Sequence, residues 1–377
     1  MKLMHLSDLH IGKRLNEFSL LDDQSYILDE ILRIAKEQKP DAAAIAGDVY
    51  DKSAPSAESV ALFDSFISRL AQIVKPIFVI SGNHDSAERI AFGSSLMQTS
   101  GVYFSPVYSG TAKPTKVKDE FGTVNVYMLP FIRPSDVRRF YPDDDTESFD
   151  SAFKAAVAHL DIDENERNVI IAHQFITGAA QGGSESVSVG GLDNISAEVF
   201  APFDYAALGH IHKKQNITSE HVRYCGTPLK YSLSEVNDEK TVTFAILGKK
   251  GELSIEEVPL RPLRDLREIK GTYIEITDRN FYDKFNREDY IHVTLTDEND
   301  IPEAIGRLRA VYPNIMKLGY DNKRTRENRL IEDISEEVRR SPSELFAEFY
   351  QTCNNSELSE EQKSYLDGVI KEIWTNS

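Results

Sequence analysis

Short apolar runs alternate along the chain with longer stretches in which apolar residues recur every three or four positions. The runs are 2-KLMHLSD-8, 42-AAAIAGD-48, 77-IFVISGN-83, 124-VNVYMLPF-131, 168-NVIIAHQ-174 and 205-YAALGHIH-212. Near-continuous apolar strands belong to sheets covered on both faces. Between them, residues 22–38 place Ile27, Ile31, Ile34 and Ala35 on one helical stripe that stops near Pro40. Residues 57–73 place Val60, Phe63, Ile67 and Leu70 likewise. Strand–helix–strand alternation predicts an α/β domain.

Beyond residue 240 the pattern changes. Residues 241–258 read as a hairpin around Gly248 and Gly251, and 261-RPLRDLREIKG-271 as a linker. Residues 272–278, 290–296 and 314–320 then read as strands and 301–311 as a helix, which makes a small separate α/β unit. Residues 331–377 carry 11 acidic and 4 basic side chains. They hold two capping-box patterns, Ser341-Pro342-Ser343-Glu344 and Ser359-Glu360-Glu361-Gln362, each followed by an apolar stripe. The second stripe runs Tyr365, Leu366, Val369, Ile370, Ile373 and Trp374. The long glycine-rich loop 177–193 reads as mobile or substrate-facing.

Bulk composition changes this picture little. The 377 residues suffice for two or three domains, and 41% hydrophobic with 28% charged is ordinary globular usage. The first residues reach an aspartate too soon for a signal peptide, and no apolar run approaches a membrane span of about 18 residues. Cys225 and Cys353 stand far apart, so a reducing cytoplasm is expected and a disulfide framework is not. The net charge of −18 counts against tight unaided binding to DNA, and suits a bound cation or a more basic partner.

The chemistry sits at the strand ends. The first strand ends in Asp8-Leu9-His10, the second in Gly47-Asp48 with Asp51 three residues on, and the third in Gly82-Asn83-His84-Asp85. Later strands end in His173 and in Gly209-His210-Ile211-His212. Ligands of open α/β sheets bind beyond the carboxyl ends of strands. Each motif alone reads equally as a turn, a cap or a satisfied core histidine. Together they aim carboxylates, imidazoles and an amide at one rim. No thiolate is among them, so the donors suit Mn²⁺, Fe or Zn with open positions. Seven candidate ligands are too many for one catalytic ion and suit two ions about 3.5–4 Å apart.

Asp-x-His, Gly-Asp-x-x-Asp, Gly-Asn-His-Asp, a lone His and Gly-His-x-His, in that order, resemble the calcineurin-like metallophosphoesterase superfamily. The phrases HLSDLHIGK, AGDVYD, SGNHDS, AHQFITGA, ALGHIHKKQ and YCGTPLKYSLSE resemble, within it, the SbcD nuclease family. The resemblance implies a two-sheet α/β sandwich flanked by helices over residues 1–262. It implies a small α/β capping domain that presents DNA over 270–328, and a helix-loop-helix over 335–377 that grips an SbcC-type SMC-like ATPase. It implies two Mn²⁺, with Mg²⁺, Fe or Zn as substitutes. One ion would be held by Asp8, His10, Asp48 and His212, the other by Asp48, Asn83, His173 and His210, with Asp48 bridging. His84 would protonate the leaving oxygen or stabilise the transition state, without binding metal.

Related phosphatases place an aspartate at the spacing of Asp51 to orient this histidine, so Asp51 is expected to orient His84; the competing reading is a solvated turn residue. Expected DNA contacts are Lys13, Arg14, Arg89, Lys213 and Lys214, with Lys323, Arg324, Arg326 and Arg329 after the small domain. The implied activity is ATP-dependent 3′–5′ double-strand exonuclease and single-strand or hairpin endonuclease action in DNA repair, recombination and replication. The implied setting is a homodimer within a heterotetramer, in the cytoplasm at the nucleoid. Two other readings stand beside it. A stand-alone nucleotide or cyclic-nucleotide phosphodiesterase would act without an ATPase, and a scaffold would have lost ligands, whereas all seven and His84 are present.

Overall fold

The computed structural model describes residues 1–180, 193–323 and 358–376, together with residues 325, 343, 346, 347 and 350. The chain divides into two compact units, Met1–Arg267 and Glu268–Ser377.

The first unit is a sandwich of two six-stranded sheets. One sheet has the order Leu253–Pro259, Thr241–Leu247, Lys2–Leu6, Ala42–Ala46, Ile77–Ile80, Val102–Phe104. Its last four strands run parallel, and the 241–259 hairpin adds antiparallel to Lys2–Leu6. The other sheet has the order Gln215–Ile217, Ser219–Tyr224, Tyr205–Gly209, Arg167–His173, Gly122–Leu129, Thr115–Asp119. Its four central strands are parallel, with antiparallel edges.

The pleat sorts each apolar run into two cores. Ala42, Ala44, Ala46, Phe78 and Ile80 of one sheet pack on Val124, Val126, Val169, Ile171 and Ala207 of the other. The alternate residues Ile170, Ala172, Ala206 and Leu208 turn outward and pack under Phe149, Phe153 and Phe200. This is why the strands read as continuous hydrophobic runs. The alanines keep the sheets close: a Cβ on Gly209 would lie 1.9 Å from the Ala46 carbonyl oxygen.

The helix Leu21–Gln38 buries Ile27, Ile31, Ile34 and Ala35 and ends at Lys39, in left-handed conformation, before Pro40. The helix Ala57–Leu70, capped by Ser56, buries Phe63, Ile67 and Leu70. Val60 lies off that stripe and is 45% exposed.

The second unit holds a three-stranded sheet, Leu266–Gly271, Tyr290–Leu295, Ile315–Tyr320. Around it pack Ile276, Ala304, Leu308 and Tyr312. Two expectations are corrected here. The stretch 261–271 is not all linker, because Leu266–Gly271 is a strand that buries Leu266 and Ile269. Residues 272–278 do not form a strand. Thr272 accepts from Glu275 N–H while the Glu275 carboxylate accepts from Thr272 N–H, and this capping box starts the helix Tyr273–Thr277. In the tail, Ser359 and Gln362 form the expected reciprocal cap on the helix Glu360–Asn376. Tyr365 is exposed there, and Leu366, Val369 and Ile370 are half-buried. The side chains of Ile373 and Trp374, most of the capping box at 341–344, Arg324, Arg326 and Arg329, and the loop 181–192 lie outside the described residues. No described helix is long and apolar enough to cross a membrane.

Candidate metal centre

Five strand ends meet at one rim of the sandwich. The loops after Lys2–Leu6 and Ala42–Ala46 are zipped by backbone bonds from Asp8 N–H to Gly47 O (3.0 Å) and from His10 N–H to Asp48 O (2.9 Å). The Asp85 carboxylate accepts from the backbone N–H groups of Val49, Tyr50 and Gly82, each at 3.0 Å. Asp85 thus closes its own Gly82-Asn83-His84 turn onto the neighbouring loop. Burial raises its pKa to about 6.

Asp8, His10, Asp48 and His210 all have positive φ, at 52°, 44°, 47° and 102°. Side chains there cost strain, and such strain persists where surrounding bonds over-determine it, as at functional sites. A Cβ on Gly82 would sit 2.2 Å from Asp48 Oδ1, and one on Gly47 2.4 Å from His173 Nδ1. The glycines therefore give the chain room to pass beside the ligands.

The side chains converge. Asp8, His10 and His212 form one cluster whose donor atoms lie within 4.8 Å of one another; Asp8, Asp48 and His173 form another; His10, Asp48 and His84 form a third. Asn83 Oδ1 lies 3.0 Å from His173 Nε2 and 2.9 Å from His210 Nδ1. His10 Nε2 lies 3.0 Å from His212 Nε2. The four imidazoles and both aspartates are at most 4% exposed.

The hydrogen bonds decide which lone pairs point inward. His173 Nδ1 lies 2.8 Å from the Ala46 carbonyl, which only accepts, so Nδ1 carries a proton and Nε2 faces Asn83 Oδ1 and Asp48 Oδ2, the latter 3.4 Å away. His212 Nδ1 faces Glu235 Oε1 at 3.5 Å, which leaves its Nε2 opposite that of His10. His10 Nδ1 is buried without a hydrogen bond. Acceptors buried face to face need a cation or a proton between them. Imidazole, carboxylate and amide oxygen are the donors that divalent cations of the Mn, Fe and Zn type take, so these residues fit such a centre.

In the metal-free chain protons fill part of this need. Burial pushes His173 down, but the Asp48 carboxylate and its hydrogen bond raise it to about 9. Burial likewise pushes Asp48 up, and the His173 charge overrides this and holds it far below the usual carboxylate range. Burial raises Asp8 to about 6 and lowers His210 to about 3.

The pKa of His173 lies above the ordinary 6.5, so its charge stabilises the metal-free fold fully below about pH 6.5, and that contribution is lost as pH rises through about 9. Metal must displace this proton. Uptake at pH 7.5 is therefore expected to release a proton from His173, with apparent affinity rising up to about ten-fold per pH unit until about pH 9. Calorimetric metal titrations in buffers of different ionisation enthalpy check this; a binding enthalpy that does not depend on the buffer contradicts it.

His84 donates its backbone N–H to Asp48 Oδ1 at 2.9 Å, and its Nδ1 lies 3.1 Å from the backbone carbonyl of Asp51. Asp51 thus meets His84 through its backbone carbonyl. The Asp51 carboxylate pairs with Lys13 Nζ at 2.8 Å and stands 3.8 Å from His10 Nδ1, and the carbonyl faces the catalytic candidate.

Other residues of the site were not read from sequence. Glu235 is fully buried between His212 and Lys240 Nζ (2.6 Å), and Lys240 also donates to the His212 carbonyl at 3.0 Å. A carboxylate behind a ligating histidine fixes its tautomer. Gln24 donates to the His10 carbonyl at 2.7 Å, and Tyr231 OH donates to Leu9 O at 2.6 Å.

The expected DNA contacts are engaged within the chain. Lys213 is 3.9 Å from Asp238 and Lys214 is 2.8 Å from Glu257. Arg14 donates to the Glu17 carbonyl and Arg89 to that of Ser53.

Comparison with known proteins adds to this geometry. Residues 1–214 match the calcineurin-like phosphoesterase family, and residues 262–354 match the family described as a type 5 capsule protein repressor C-terminal domain. The SbcD subunit of the SbcCD nuclease from Staphylococcus epidermidis is 32% identical over 99% of both chains. Two solved structures are more distant. A Thermus thermophilus protein is 13% identical with a TM-score of 0.37 over 68% of this chain and 98% of its own. A dimetal phosphatase from Danio rerio is 10% identical with a TM-score of 0.40 over 69% and 96%.

Proposed function

Because the chain belongs to the calcineurin-like phosphoesterase family, in its SbcD nuclease branch, we propose that it hydrolyses DNA phosphodiesters with two Mn²⁺ as the nuclease subunit beside an SbcC-type ATPase. The observation that carries this is the convergence of seven buried or half-buried donors on one rim. Asp8, His10, Asp48 and His212 would hold one cation and Asp48, Asn83, His173 and His210 the other. Bound there, two divalent cations neutralise the phosphate oxygens and acidify the attacking water.

The protein's own groups do the rest. The Asp51 carbonyl accepts from His84 Nδ1 and so fixes the ring with Nε2 as the proton-donating atom for the leaving oxygen. Glu235 and Lys240 hold His212 with its Nε2 lone pair inward. Asp85 keeps Asn83 and His84 on their turn. Residues 270–328 would present DNA, and 335–377 would bind the ATPase. The assembly would be a homodimer inside a heterotetramer, acting in the cytoplasm at the nucleoid in repair, recombination and replication.

Deletion of residues 341–377 tests the assignment. The truncated chain is expected to lose ATPase binding in pull-down and ATP-dependent cleavage of a DNA hairpin, while keeping metal-dependent hydrolysis of a simple phosphodiester. Retained ATPase binding, or hairpin cleavage that needs no ATPase, would favour a stand-alone phosphodiesterase.

A further inference from the structure

Of the expected DNA contacts, Lys13, Lys213 and Lys214 stand beside carboxylates and Arg14 and Arg89 bond backbone carbonyls, and two further arginines beside the metal centre form no ion pair among the described residues. A pocket of about 310 Å³ opens next to Asn83, within the range of about 300–1,000 Å³ that small ligands occupy. Its lining includes Phe131, Arg133, Arg139, Phe140 and Tyr108. Each guanidinium stands over a ring, Arg133 5.9 Å from the Phe131 centroid and Arg139 5.8 Å from that of Phe140. The pocket's carboxylates are already engaged by neutral donors. Asp85 accepts three backbone N–H groups, Asp136 accepts the Arg133 N–H at 2.9 Å, and Glu88 accepts from Ser86 at 2.8 Å. The lining thus combines two guanidinium groups that form no ion pair among the described residues, three hydrogen-bonded carboxylates, and aromatic faces.

The wall is fixed to the site. Phe131 N–H donates to Ser81 O at 3.0 Å, at the tip of the strand that delivers Asn83. The Ile132 carbonyl accepts from Gln174 at 2.8 Å, next to His173. The Phe131 ring meets the His173 ring edge-on at 6.3 Å, and Tyr108 packs edge-on against Phe140 at 5.7 Å.

We propose that this pocket seats the nucleoside adjoining the scissile phosphate, its base stacked on the Phe131 and Phe140 side and the next phosphate met by Arg133 and Arg139. The proposal rests on the phosphodiesterase reading and names the substrate unit that the same site selects. Aromatic stacking tolerates any base, and guanidinium groups recognise phosphate by geometry as well as charge. A strand with little sequence preference is therefore the ligand this chemistry suits.

The test uses the full chain loaded with Mn²⁺ and the double variant Arg139→Gln/Phe140→Ala, both exposed positions. One measurement is kcat/KM on a single-stranded oligonucleotide divided by kcat/KM on methyl p-nitrophenyl phosphate, which has no nucleoside. That ratio is expected to fall about ten-fold or more in the variant, mainly through KM. The other measurement is equilibrium dialysis with thymidine 5′-monophosphate and with inorganic phosphate. The nucleotide is expected to bind about ten-fold more weakly to the variant, and phosphate about equally to both chains. An unchanged ratio together with unchanged nucleotide binding overturns the pocket. A wild-type chain that binds the nucleotide as expected but hydrolyses neither substrate supports the pocket and sinks the phosphodiesterase reading.

Discussion

Asp48→Asn is expected to lower metal-dependent phosphodiester cleavage by about a thousand-fold or more, equivalent to about 4 kcal/mol of lost transition-state stabilisation. Asp48 reaches both halves of the site: Oδ2 stands 3.4 Å from His173 Nε2 and 3.7 Å from His10 Nε2. Asparagine keeps an oxygen that can accept the His84 N–H, so the turn survives. It would remove the charge that the two cations would share and would offer an NH₂ group in its place. Metal content should therefore fall from two ions to at most one per chain. With Asp48 neutral, the burial that lowers His173 is opposed far less, so His173 no longer holds its proton up to about pH 9. Elemental analysis beside steady-state kinetics checks the prediction. A variant that keeps two ions and more than a tenth of the activity contradicts it.

His84→Ala is expected to reduce DNA cleavage by about a hundred- to ten-thousand-fold, the range for a general acid, and to leave metal uptake intact. Geometry alone permits another role, since His84 shares a donor cluster with His10 and Asp48. The bond between its Nδ1 and the Asp51 carbonyl argues for proton transfer. The two roles separate on the leaving group. A p-nitrophenolate needs no proton to depart, so a p-nitrophenyl diester should lose much less than DNA does. Equal losses on both substrates, accompanied by loss of metal, would make His84 a ligand.

The metal site was legible because its ligands are local punctuation. Most sit where an apolar run stops at a glycine or an acidic residue, His173 where one stops before Gln174, and strand ends share a rim by topology. Residues that act across the fold were not legible. Glu235 and Lys240 reach His212 from over twenty residues away. Arg133 and Arg139 take their meaning from Asn83 and His173, which arrive on other strands. Asp51 stands beside His84 as its spacing suggests, and spacing carries no information on whether its carboxylate or its carbonyl faces inward.

Sequence also does not show that the basic residues Lys13, Lys213 and Lys214 stand beside Asp51, Asp238 and Glu257. Leu266–Gly271 reads as a linker because Arg267 and Lys270 mask the buried Leu266 and Ile269. The capping box at Thr272 and Glu275 was present to be read, but the β-branched residues around it suggested a strand.

Anomalous scattering from manganese-soaked crystals tests the central claim most directly. Two peaks about 3.5–4 Å apart are predicted, with Asp48 between them. Asp8, His10 and His212 should lie around one peak, and Asn83, His173 and His210 around the other. Absence of manganese at this rim, or imidazoles turned away from it, would contradict the account.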